Sequence, residues 1–428
     1  MSYKEIIHNR FIKPLLSKKT GTIGVELEFP MVNLDKKPVD KENALSLLNY
    51  FLDKDFKVED TDTHGNPAFI TNSYGDCISF DNSYNNLEFS MNYGDNLNEI
   101  RERFYGYFSE AQNFIKQYNY IITGMGTNPY KKHITQSHVS YPVYNMVDAY
   151  LHKFENEETH KYPDFPSYLS SVQTHLDINP EDLPKTATLF AKIDFLRGIL
   201  FSNAPDFDFG KTICFRDYLW GKSAFGICKT NTGAVDEEYK TLDDIEKSFY
   251  NRHMFNNKRN GEYNIFYPVP IKDYFENNPA EDIECFLSFR HVEITFRGTL
   301  EIRSDCTQPL KDAFAPPAFN LGIAHNVDRA IERTENFFEG KNLLNSYLRK
   351  CVSEGIGIKE FGKEELKNYV VDMIKISEDG LKSRKLGEEK LIEALYQRAE
   401  NSECPAHYTL KNINNLEKVI NKYAEFKK

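Results

Sequence analysis

Two glutamates one residue apart, Glu26 and Glu28 in the run Gly24-Val25-Glu26-Leu27-Glu28-Phe29, are the first residues whose spacing suggests chemistry. In an extended strand alternate residues share a face, so both carboxylates point the same way and repel each other. A hard divalent cation relieves that repulsion, because Mg²⁺ takes oxygen donors in octahedral geometry. Solvent on an exposed sheet face relieves it as well. Asp81 and Glu88 form a second pair around an Asn-rich turn, and a hairpin of that length brings both acids to one sheet edge. An ordinary polar turn has the same composition. In Thr299-Leu300-Glu301-Ile302-Arg303 an acid and a guanidinium alternate with aliphatics. That spacing sets a metal ligand beside a cation suited to phosphate oxygens, or makes a plain intrastrand salt bridge. Gln173 and His175 also share a strand face, where either suits a metal or a substrate and a hydrogen-bonded core histidine fits equally.

The elements that must position these groups follow from hydrophobic periodicity. Residues 22–33 alternate as a strand with Ile23, Val25, Leu27 and Phe29 opposite the two glutamates. A helix is expected over 95–118, capped by Asp95 or Asn96, with Leu97, Ile100, Phe104, Phe108 and Phe114 along one stripe. A short strand at 121–125 follows. Residues 171–178 form another strand, then a turn at Asn179-Pro180-Glu181-Asp182 and a helical stretch through Leu200. Residues 291–304 read as a hairpin, and from Pro309 onward helices are expected over 318–338, 341–353, 363–379, 387–400 and 410–427. The polar stretches 131–165 and 229–262 read as long surface insertions, which carry substrate contacts in some proteins and are solvated loops in more. Strands followed by helices predict an α+β chain whose antiparallel sheet is the functional surface. Residues 1–309 form its sheet-bearing region, and the helical 310–428 packs on it as one integrated domain.

The chain has 428 residues, 40% hydrophobic and 27% charged, enough for a sizeable core and unlike a disordered or fibrous protein. Its formal charge of −11 disfavours a nucleic-acid or anionic-membrane binder. The imbalance is local: 33 basic against 45 acidic residues in 1–309, and 20 against 19 thereafter. Seven dispersed cysteines without a C-x-x-C pair argue against a disulfide framework or a structural zinc, and for a reducing cytoplasm. No stretch approaches the ~18 apolar residues of a membrane span, and the charged N-terminus does not read as a signal peptide. P-loop, dinucleotide, nucleophile-elbow and H-E-x-x-H motifs are all missing. What remains is several acids on several strands, a layout suited to two or three Mg²⁺ ions and a nucleoside triphosphate.

The order of short motifs adds a resemblance. Gly24–Glu28, Leu87-Glu88-Phe89-Ser90, residues 124–129 (GMGTNP), residues 172–177 (VQTHLD) and Leu300-Glu301-Ile302-Arg303 occur in the order seen in the glutamate–cysteine ligase family, nearest its plant and proteobacterial branch. Phe201-Ser202-Asn203-Ala204-Pro205, Phe215-Arg216-Asp217-Tyr218-Leu219-Trp220 and Cys404-Pro405-Ala406 fit the same order. The resemblance implies a glutamine synthetase-like fold, a curved, mostly antiparallel sheet forming an open funnel with helices outside. It also implies that ATP phosphorylates the γ-carboxylate of glutamate and that the amine of cysteine attacks the acyl phosphate. Carried over by position, Glu26, Glu28, Asp81, Glu88 and Glu301 match the acids that hold Mg²⁺, and Gln173 stands where the family has a Gln or His ligand. Arg303 matches an arginine directed at phosphates, and Arg197 and Arg216 match positions near the amino-acid substrates. His175 stands where Asn is usual. Residues 221–226 and the stretch 229–262 depart from the family pattern where the acceptor is read. A different amine, or a catalytically silent binding protein on the same fold, therefore stays open beside cysteine ligation. The protein is expected to be cytoplasmic, a monomer or homodimer, with small-molecule substrates, ATP as co-substrate and no nucleic-acid or membrane partner.

Overall fold

Alternation of apolar and polar residues sets strand β1 (Ile23–Asn33), which turns Val25, Leu27 and Phe29 into the core and leaves Glu26 and Glu28 on the other face. The computed structural model describes residues 1–17, 21–134, 138–154, 159, 162–206 and 212–426. The remaining strands are β2 (Phe56–Thr61), β3 (Pro67–Asn72), β4 (Cys77–Phe80), β5 (Asn86–Gly94), β6 (Tyr120–Ile122) and β7 (Ser171–Leu176). They continue with β8 (Thr232–Gly233), β9 (His253–Arg259), β10 (Glu262–Pro270), β11 (Phe289–Arg290), β12 (Val292–Ile294) and β13 (Leu300–Cys306). Nine strands make one open sheet in the order β12-β13-β7-β1-β5-β4-β3-β2, with β6 paired to one end of β1. Every pairing in it is antiparallel. Strands β9 and β10 form a separate hairpin, and β8 and β11 a short parallel pair.

The helix Leu97–Ile115 covers the apolar face of β1 and β5. Asn96 caps it through a hydrogen bond to the Asn98 amide. Phe104 and Phe108 meet Phe29 at ring-centroid separations of 5.6 and 5.4 Å, and Phe104 meets Phe89 at 5.3 Å. The C-terminal helices pack on the same core: Asn320, in Ala315–His325, donates to Thr174 Oγ1 (3.2 Å) and to Asp305 Oδ2 (2.9 Å). One apolar cluster runs from Ile6 to Ala406. Among the described residues no helix is long and apolar enough to cross a membrane.

The α+β class and the strand anchoring the glutamates match expectation, and several boundaries move. The helix through residue 200 is two, Leu183–Lys192 and Asp194–Phe201, and 318–338 likewise divides into Ala315–His325 and Val327–Phe338. Helix Lys41–Leu52 and strands β2 and β3 have no counterpart in the sequence reading. The stretch 229–262 contains helix Leu242–Tyr250 and strand β9, so it is structured rather than looped. Of 131–165, positions 135–137, 155–158, 160 and 161 lie outside the described residues, as does residue 427 of the last expected helix. The described part of 131–165 is not simply surface: helix Pro142–Lys153 buries Met146, Val147, Tyr150 and Leu151.

Candidate active site

The register of β1 decides which side chains meet. Glu28 lies directly across from Glu88 on β5, and Glu26 across from Gln173 on β7. His175 lies across from Glu301 on β13. Paired residues of a ladder share a face, so these groups collect on the side of the sheet opposite the phenylalanine core. Asp81 joins them from the turn after β4. Arg303 follows Glu301 along β13, and helix Phe215–Gly221 presents Arg216 and Trp220, one turn apart, to the same space. The cleft has a volume of about 260 Å³. Its floor holds Glu26, Glu28, Asp81, Glu88, Gln173 and Arg303; its walls are Val143, Val147, Leu169, Trp220, Leu287 and Phe289.

Glu28 is held by three donors: the Ser171 amide (2.8 Å), the Ser171 hydroxyl (3.0 Å) and Gln173 Nε2 (2.8 Å). Gln173 thereby fixes its amide, and its buried Oε1 has no hydrogen-bond partner among the described residues. His175 directs Nε2 at Glu26 Oε1 (3.1 Å) and at Glu301 Oε1 (3.6 Å), while its Nδ1 lies 3.3 Å from Thr299 Oγ1. Arg303 reaches Glu301 Oε2 at 3.5 Å and donates to the Ser288 carbonyl at 3.1 Å. Glu88 accepts from the Ser90 hydroxyl at 2.6 Å.

Burial and neighbouring acids raise a carboxyl's pKa, and neighbouring cations lower it, so these acids do not all shift the same way. Burial pushes Glu88 well above the usual carboxylate range, and the charges of Glu26, Asp81 and Glu28 add to it. Burial and the Glu28 charge raise Asp81 to about 8. Burial also raises Glu28, against the opposing pull of Arg216 and its hydrogen bonds. Glu26 goes the other way: burial disfavours its charge, but His175, Arg297 and Arg303 outweigh it and hold the carboxyl at about 2. His175 is raised because Glu301 and Glu26 overcome the cost of burying its charge.

These donors fit hard divalent cations. Ligand atoms of Glu26, His175 and Glu301 lie within 4.8 Å of one another. Gln173 Oε1, whose amide nitrogen is already committed to Glu28, offers a buried oxygen with no hydrogen-bond partner among the described residues. A divalent cation also inverts the mutual repulsion of Glu28, Asp81 and Glu88 into attraction. The sheet thus brings Glu26, Glu28, Asp81, Glu88, Gln173, Glu301, Arg216 and Arg303 to one region.

Arg197 is the exception among the residues matched by position. It lies on the core side of the sheet, wholly buried, bonded to Asp194 Oδ1 (2.7 Å), Ser304 Oγ (3.1 Å) and the Phe190 carbonyl (2.8 Å). With Asp305 also at 3.5 Å, its guanidinium is committed to the core and does not reach the cleft. Three motif stretches also do joinery. Gly126 donates to the Asn203 carbonyl, Asn203 Nδ2 to the Gly124 and Thr307 carbonyls, and Ala406 to the Ser202 carbonyl. The spacing of His175 fits a ligand and a core residue alike, and its cross-strand register with Glu301 settles its neighbours. One cleft residue has no counterpart in the sequence reading. Tyr144, which lines the cleft together with Asp81, sits on a helix readable from Val143, Met146, Val147, Tyr150 and Leu151 at three- and four-residue spacing after Pro142.

No family model and no curated protein matches the sequence. Among solved structures, a bifunctional glutathione synthetase from Pasteurella multocida is similar with a TM-score of 0.52 at 12% sequence identity. That match covers 98% of this chain and 54% of the other, so the chain spans about half the length of that enzyme. A glutamate–cysteine ligase from Francisella tularensis, in complex with AMP, is similar over 95% of this chain and 89% of its own, with a TM-score of 0.46 at 12% identity. The first likeness establishes a shared α+β fold around an open antiparallel sheet of the glutamine synthetase-like kind.

Proposed function

We propose that this chain is an ATP- and Mg²⁺-dependent carboxylate–amine ligase that joins the γ-carboxylate of glutamate to the amine of cysteine. The observation that carries the reading is the convergence of five carboxylates, from β1, β5, β13 and the turn after β4, with Arg216 and Arg303 on one sheet face. The motif order, and the name of the P. multocida enzyme whose fold is shared, support it.

Two or three Mg²⁺ ions, held by Glu26, Glu28, Asp81, Glu88, Gln173 and Glu301, would neutralise the phosphate oxygens and orient the phosphoryl group. Phosphoryl transfer is catalysed mainly by positioning and charge. Arg303 faces the same floor and supplies a fixed guanidinium for the charge that builds on the transferred group. Arg216, facing Glu28, is placed to hold a substrate carboxylate. The glutamate γ-carboxylate attacks the γ-phosphorus of ATP, releasing ADP. The cysteine amine then attacks the acyl carbon, phosphate leaves, and the ammonium proton passes to that phosphate. Val143, Val147, Trp220 and Phe289 exclude water, which keeps the acyl phosphate from hydrolysis.

One observation favours a second reading, in which another amine replaces cysteine: helix Pro142–Lys153, which walls the cleft, comes from a stretch outside the motif order. A screen of amines with ATP, Mg²⁺ and glutamate, following ADP and product mass, tests both. Cysteine-dependent ADP release with γ-glutamylcysteine formed supports the first reading, and turnover only with another amine selects the second. No ADP with any amine would leave a silent binding protein.

A further inference from the structure

The imidazole of His175 stands between carboxylates from two other strands. Its Nε2 lies 3.1 Å from Glu26 Oε1 of β1 and 3.6 Å from Glu301 Oε1 of β13. Glu301 divides its oxygens: Oε2 faces Arg303 at 3.5 Å and leaves Oε1 for the imidazole side. The far ring nitrogen is anchored in the turn between β12 and β13. There Thr295 Oγ1 accepts from the amides of Arg297 (3.2 Å) and Thr299 (3.4 Å), which fills its two lone pairs. Its hydroxyl therefore donates to Thr299 Oγ1 at 2.7 Å, and that oxygen keeps a lone pair for Nδ1–H of His175 at 3.3 Å. This tautomer turns a bare Nε2 toward two carboxylates, which needs a proton or a cation between them. A second observation points to a cation. Gln173, across from Glu26, is only 8% exposed, and its Oε1 has no hydrogen-bond partner among the described residues. A buried acceptor oxygen beside carboxylates is costly unless something positive meets it.

We propose that Glu26, His175 and Glu301 together hold a first-row transition-metal dication, Mn²⁺ in preference to Mg²⁺. The inference deepens the ligase reading and rests on its cation site, changing the ion at one position. The donor set is the reason. Mg²⁺ keeps to oxygen ligands in near-ideal octahedra, whereas an imidazole nitrogen suits transition metals, and Mn²⁺ takes both kinds of donor. Anchoring of the second ring nitrogen is the usual mark of a ligating histidine. Glu28, Asp81 and Glu88 offer oxygen alone and suit Mg²⁺, so the cleft carries two cation positions of unlike chemistry.

The test is Mn²⁺ bound to the full untagged chain without nucleotide, read by electron spin echo envelope modulation, which detects nitrogen coordinated to the ion. The wild type is expected to show imidazole modulation that survives an excess of Mg²⁺. His175→Gln, whose amide keeps hydrogen bonding at a similar reach, is expected to lose that modulation and the resistance to Mg²⁺. His152→Gln is the control: His152 belongs to the other cluster of ligand-type groups, with Asp148 and Asp164, and its loss is expected to leave the signal in place. Absence of nitrogen modulation in the wild type would overturn the proposal and leave an imidazolium bridging the two glutamates. Modulation that persists in His175→Gln, or that disappears in His152→Gln or under Mg²⁺, would overturn it as well. Its failure is separable from that of the ligase reading. Cysteine-dependent ADP release without a nitrogen signal keeps the ligase and sinks the metal assignment. A signal lost only in His175→Gln, from a protein that releases no ADP with any amine, does the reverse.

Discussion

Two arginines show how environment assigns a role that residue type does not. Arg197 and Arg216 each match a position near substrates, yet Arg197 is fully buried against Asp194 and Asp305 while Arg216 opens on the cleft. Removing one partner of a buried ion pair strands the other charge and costs about 3–5 kcal/mol. Arg197→Ala should therefore lower the melting temperature sharply, and Arg216→Ala should leave it nearly unchanged while raising the KM for the amino-acid substrate. Melting curves and steady-state kinetics on the pair check this, and equal destabilisation would contradict it. Glu301→Gln offers the cleanest deletion of a carboxylate, because its neighbours His175 and Arg303 stand at 3.6 and 3.5 Å rather than in tight hydrogen bonds. Turnover should fall to background with melting retained, and near-normal rates would remove Glu301 from the site. Glu28→Gln should also abolish turnover, but it turns an amide NH₂ toward Ser171 or Gln173 donors and adds about 1–3 kcal/mol of destabilisation.

At the scale of elements, strand β1 was legible because its period-two pattern is unbroken and a one-residue slip would bury both glutamates in the phenylalanine core. The helix Leu97–Ile115 was legible for the same kind of reason, an uninterrupted apolar stripe. Strand β2 was not: its residues after Phe56 are exposed, so no buried face marks it. The cleft's acids could be named from spacing, but which strand faces which is a matter of non-local register. Residue type alone therefore could not separate Arg197 from the cleft or bring His175 to Glu301. Close helix packing is another non-local feature. Where helices Ala315–His325 and Lys363–Arg384 cross, a Cβ on Gly380 would lie 2.0 Å from the Gly322 carbonyl oxygen, and one on Gly322 2.2 Å from the Ser377 carbonyl oxygen. Backbone cannot yield as a side-chain tip does, so Gly380→Ala must part the helices. Overpacking of this kind costs about 1–3 kcal/mol, and urea denaturation should show that loss despite alanine's better helix propensity. Unchanged stability would mean that the helices separate freely.

For the whole molecule, the net charge of −11 arises in residues 1–309, and four of those acids line one cleft with Glu301 beside them. Another set of acids does structural work behind the sheet. Asp194 meets Arg197, His291 Nδ1 (2.8 Å) and Arg349, while Asp217 accepts from Arg349 Nε at 2.6 Å. Arg349 belongs to helix Asn345–Ser353, so this net ties the C-terminal helices to the sheet-bearing region. Burial disfavours the Asp194 charge, but Arg349, His291 and Arg197 outweigh it and hold the carboxyl far below the usual range. Asp217 is lowered for the same reasons, burial again being overcome by Arg349 and His291. A carboxyl with a depressed folded-state pKa stabilises the fold above its unfolded value, 3.8 for aspartate, and loses that contribution as pH falls toward the folded value. Stability should therefore hold through neutral and mildly acidic pH and drop steeply below about pH 4. Asp194→Asn should lose about 3–5 kcal/mol at neutral pH and show a shallower acid limb, since one of the groups that titrates has gone. Urea unfolding from about pH 7 to pH 2 measures both, and an acid limb as steep as that of the wild type would show that the acid sensitivity lies elsewhere.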